Sequence, residues 1–89
     1  MGKDELKVEL FNAQSNILIN QQFLRSCTEQ RHTLWEEYCN SNPSYRRTVE
    51  LEGLFKRLAL SIKTTIEIIH KEKLISKELQ TLIENRHEK

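Results

Sequence analysis

One proline and two glycines punctuate 89 residues, so there are few places where a helix must stop. The glycines, Gly2 and Gly53, are too isolated to form a phosphate-cradling loop. Cysteine is almost as scarce, with Cys27 and Cys39 twelve positions apart. Along one continuous helix that spacing is a separation of about 18 Å, far outside disulfide reach. Unpaired cysteines suit a reducing compartment, so the expected location is cytoplasmic or nuclear. No run of about 18 apolar residues offers a membrane span. The opening Met-Gly-Lys-Asp-Glu lacks the basic-then-apolar order of a secretory signal.

Catalytic equipment is missing as well. There is no CxxC pair, HExxH, EF-hand loop or GxSxG. A metal site would have to draw on Cys27, His32, Cys39 and one of His70 or His87. Cys27 and His32 are five positions apart, hence about 140° apart around a helix, whereas ligands sharing a metal normally sit at i and i+3 or i+4. The expectation is therefore no metal, no cofactor and no enzyme: a Cys–His nucleophile has no orienting acid that can be named.

The formal net charge of +1 conceals an asymmetry. Residues 1–42 carry four Lys or Arg against six Asp or Glu, and residues 43–89 carry ten against seven, giving −2 and +3. Halves of opposite sign attract weakly when folded against each other, and would steer antiparallel association between chains.

What remains is helical pattern. The one cluster of turn formers, Asn40-Ser41-Asn42-Pro43-Ser44, divides the chain near its middle. Asn42 or Ser41 can cap a new helix with Pro43 at its first position, where a missing amide costs nothing. The predicted architecture is all-α, a long two-helix hairpin forming a single domain over 1–89. Helix 1 covers about 4–39, the loop 40–43 and helix 2 about 43–86. Helix 1 carries a seam spaced alternately three and four: Leu6, Leu10, Ala13, Ile17, Asn20, Leu24, Cys27, Arg31, Leu34, Tyr38. Asn20 and Arg31 interrupt it. Either they set register, with Arg31 able to pair with a carboxylate across the seam, or helix 1 leaves the bundle near its middle and Arg31 is solvated. Phe11 and Leu18 form a second partial stripe, which suits a bundle better than a two-stranded coil.

In helix 2, Leu51, Leu54, Phe55, Leu58, Ile62, Ile66 and Ile69 share one face, and Ile75, Leu79, Leu82 and Ile83 share another. The second group is rotated by roughly 100°, of which supercoiling explains about half. The remainder predicts a break in helix 2 at His70-Lys71-Glu72-Lys73, residues 70–73, and Gly53 is a second weak point. Between positions 46 and 83 there are sixteen apolar residues. A strict two-in-seven seam over that span needs about eleven. The excess predicts an apolar contact surface, with a bundle completed by oligomerisation.

The expected function is a non-enzymatic protein–protein interaction module: a coiled-coil subunit, adaptor or inhibitor whose partner is itself or another helical protein. The residues assigned to that interface are Leu54, Leu58, Ile62, Ile66, Ile69, Ile75, Leu79 and Leu82. Trp35 and Tyr38, with Arg46 and Arg47 across the loop, form a candidate aromatic–arginine patch. The alternative is a small nucleic-acid-associated regulator using Arg46, Arg47, Lys56 and Arg57 as phosphate contacts, although glutamates interleave with these basic residues.

Overall fold

The computed structural model describes residues 2–87, with side chains through residue 85. Two long helices make up nearly all of it: α1 (Lys3–Asn40) and α2 (Tyr45–His87), folded back on one another as an antiparallel hairpin. Among the described residues there is no strand. The molecule is a rod of 67 × 15 × 14 Å with a radius of gyration of 19.7 Å. A compact chain of this length would have a radius of gyration of about 12 Å.

The turn is built differently from the expected one. Ser44, not Ser41 or Asn42, caps α2, its Oγ accepting the Arg47 amide at 3.2 Å. Pro43 precedes the cap and lies outside the helix, which starts two residues later than expected. The reason lies at the end of α1. Ser41 donates its amide to the Glu37 carbonyl at 3.1 Å and closes that helix. The chain then reverses through Asn42 at φ 47°, a left-handed conformation that asparagine tolerates better than most residues. A residue in that conformation cannot cap a helix, because a capping residue takes an extended backbone. At the far end of α1, Asp4 and Glu5 occupy the first turn, where the helix dipole favours acidic side chains.

A seven-residue repeat joins the helices. In α1, Leu6, Ala13 and Cys27 are buried, and Leu10, Ile17, Asn20, Leu24 and Leu34 are half-buried. In α2, Leu51, Leu58, Thr65, Glu72 and Leu79 recur at steps of seven, and Phe55, Ile62, Ile69, Ser76 and Ile83 follow each by four. All ten are buried or half-buried. The helix runs unbroken through residues 70–73 and keeps the same face toward α1, so the predicted break does not occur. Thr65, not Ile66, continues the repeat from Leu58, and Ile66 points outward. Once Thr65 takes that place, the two apolar groups fall on one supercoiled stripe. Thr65 can be buried because its hydroxyl donates to its own helix, to the Ser61 carbonyl at 2.7 Å. The helix is also continuous through Gly53, where a methyl group would meet nothing within 4 Å.

Candidate helix-packing surface

The hairpin's own seam takes up much of what the sequence assigns to a partner. Ile69 and Leu79 are buried in it, and Leu54, Leu58, Ile62 and Ile75 are half-buried. Ile66 and Leu82 remain exposed. Alongside them Val49, Leu60, Ile68 and Leu74 of α2 are exposed, as are Val8, Phe11, Leu18, Ile19 and Phe23 of α1. Single exposed leucines are ordinary, but this many on a chain this short are not.

Some of these side chains converge. Ile19, Asn20 and Phe23 of α1 meet Leu60, Ser61, Thr64, Thr65 and Ile68 of α2 along one open groove near mid-length, enclosing ≈ 480 Å³. The large apolar members stay wet, with Ile19 62%, Phe23 49%, Leu60 66% and Ile68 39% exposed. None of the eight lining residues carries a charge. Toward the loop it runs on into a second open groove, where Ser26, Glu29, Gln30, Thr33 and Leu34 face Leu54, Arg57, Leu58 and Ser61. The uncharged zone therefore ends at Glu29 and Arg57. Asn20, which interrupts the α1 seam, lines the mid-length groove half-buried and donates to its own helix, to the Asn16 carbonyl at 2.7 Å.

Ile19 and Phe23 fall outside both apolar stripes that spacing marks on α1, the seam and the Phe11–Leu18 pair. Their signal is a stretch of α1, positions 10–24, that holds no charged residue. Exposed helices normally intersperse charges every few residues, so fifteen positions with only Asn, Gln and Ser as polar groups mark a face not built for bulk water.

The expected aromatic–arginine patch divides into two parts. Trp35 stacks on Tyr38 with ring centroids 5.7 Å apart, and Phe55 of α2 meets both edge-on at 6.0 and 6.1 Å. Trp35 and Phe55 also line an open cavity with Ala59, Thr28 and the exposed Arg31. Arg47 turns instead to two carboxylates. It donates Nε and Nη2 to Glu37, the latter at 2.8 Å, and Nη1 to Glu50 at 3.2 Å. These hydrogen bonds hold the Glu37 carboxyl below its ordinary pKa and push the Arg47 guanidinium further up. Of the other basic residues weighed as phosphate contacts, Arg46, Lys56 and Arg57 are exposed on α2.

Cys27 is buried in the seam and Cys39 is exposed, both as free thiols. Among the described residues, no three His, Cys, Asp or Glu side chains stand close enough to hold a metal ion. No described helix is long and apolar enough to cross a membrane. No family model, curated protein or solved structure matches the chain.

Proposed function

We propose that this chain is a non-enzymatic helix-packing module, a hairpin that docks through exposed apolar side chains onto helices of another polypeptide as a subunit or adaptor. The observation that carries this is the uncharged groove in which Ile19, Phe23, Leu60 and Ile68 stand open to water. Burying each such side chain stabilises a complex by roughly 1.5–3 kcal/mol. Four of them together give ample drive to offset the entropy cost of association. The free thiols of Cys27 and Cys39 accord with work in a reducing compartment, the cytoplasm or nucleus.

A salt titration and an apolar dye test the reading. Packing of apolar helix faces should persist or tighten as salt rises, whereas phosphate contacts through Arg46, Lys56 and Arg57 would weaken steeply. The folded chain should either associate or bind an apolar fluorescent dye at this groove, and Phe23→Glu should abolish whichever is seen. A helical monomer that binds no dye at any concentration would overturn the proposal.

A further inference from the structure

We infer that the groove's occupant is a second copy of this chain, related by a two-fold axis parallel to the rod, so that two hairpins close into a four-helix bundle. This rests on the helix-packing reading above and adds the partner and its orientation.

Three observations favour a second copy. The first is area. The chain exposes 7089 Å² at 10.6 kDa, whereas a compact monomer of that mass exposes about 5,500 Å². The surplus, about 1,600 Å² per chain, exceeds the roughly 800 Å² that each partner gives to a standard stable interface. The second is charge within the groove. A surface that must face itself cannot carry one sign. The mid-length groove has no charged lining residue, and its extension toward the loop carries one of each sign, Glu29 and Arg57. The third is charge between the helices. The segment 1–42, which contains α1, sums to −2, and the segment 43–89, which contains α2, sums to +3. A two-fold along the rod lays each α1 over the partner's α2, so that helices of opposite sign alternate around the bundle. A two-fold across the rod would stack α1 on α1 and α2 on α2, like on like. Rotation about the long axis also changes no residue's height, so the uncharged zone of one copy meets that of the other with no slip in register.

Exposed Cys39 near the loop reports the arrangement without a new cysteine. Spin labels on the two Cys39 thiols should lie within about 25 Å, since all loops share one end and helices pack 8–10 Å apart. A two-fold across the rod would separate them by about 50 Å at 1.5 Å rise per residue. Wild type should sediment as a dimer, and Phe23→Glu and Leu60→Lys should each raise Kd about a hundredfold or more. Both side chains are exposed in the single hairpin, so helicity should be unchanged by circular dichroism. Mixing the two variants should recover a heterodimer, because opposite charges then face each other at one of the two equivalent contacts.

A long Cys39–Cys39 distance, or a dimer indifferent to both substitutions, would overturn the inference. So would a wild type that stays monomeric to near-millimolar concentration. That monomer would leave the helix-packing reading standing if it bound an apolar dye that Phe23→Glu released, and would overturn both if it bound none.

Discussion

Arg47 does more at the loop end than any other side chain. It reaches from the first turn of α2 to Glu37 near the end of α1, and also to Glu50 one turn along its own helix. The link to Glu37 ties the two helices just beyond the reversal, where the aromatic trio of Trp35, Tyr38 and Phe55 packs alongside. Hydrogen bonding from Arg47 lowers the Glu37 pKa more than loss of solvent raises it. Folded Glu37 therefore protonates at lower pH than it does in the unfolded chain. Its contribution is fully present above the ordinary glutamate range and is lost as pH falls through the depressed folded value. The pair is partly exposed, so the effect is small and screened by salt. Glu37→Gln should melt slightly below wild type at neutral pH, and the gap should close on acidification when followed by thermal circular dichroism. A gap that persisted at acid pH would assign the effect to packing of the side chain instead of its charge.

At the level of the helices, stability comes from a seam only two residues wide on each side. Leu51 is fully buried, but much of the rest of the seam is only half-buried. Each helix therefore depends on its own propensity more than a helix in a large core does. Gly53 is the clearest local weakness. It sits inside α2 with no neighbour that needs its lack of a side chain, and its backbone does not take positive φ. Gly53→Ala should stabilise the hairpin by roughly 0.5–1 kcal/mol, raising the midpoint of urea unfolding at unchanged slope. No gain would indicate that something outside the single chain approaches the backbone there. Glu72 shows how the polar stretch at 70–73 is accommodated. It takes the seam position between Thr65 and Leu79 while its neighbours His70, Lys71 and Lys73 face solvent, so a charged run crosses the helix without turning it.

The whole molecule is a rod with too much surface for its mass, and self-pairing would couple its stability to its own concentration. A dimer that exists only when folded makes unfolding bimolecular in reverse, so the melting temperature should climb with each tenfold rise in concentration. Differential scanning calorimetry across a dilution series reads this directly. A melting temperature independent of concentration would mean that the hairpin carries its stability alone. Phe23→Glu should melt at the same temperature at every concentration, at or below the dilute limit of wild type.

The order of residues determined that this protein is a two-helix hairpin, because what sets helix and turn is local: three-four spacing along α1, scarce Gly and Pro, and one cluster of turn formers at 40–44. It also determined most of the α1 seam, whose Leu6, Ala13 and Cys27 are buried, although Arg31 and Tyr38 at the same spacing are exposed. Only packing decided the phase of α2. Ile66 is the more apolar neighbour, yet Thr65 lies in the seam, because supercoiling requires a step of seven and a threonine can satisfy its hydroxyl within its own helix. Packing likewise decided that Ile19 and Phe23 share a groove with Leu60 and Ile68. Periodicity within one helix shows which residues share a face, but not which face of a second helix lies beside it, and that pairing exists only once the hairpin has closed.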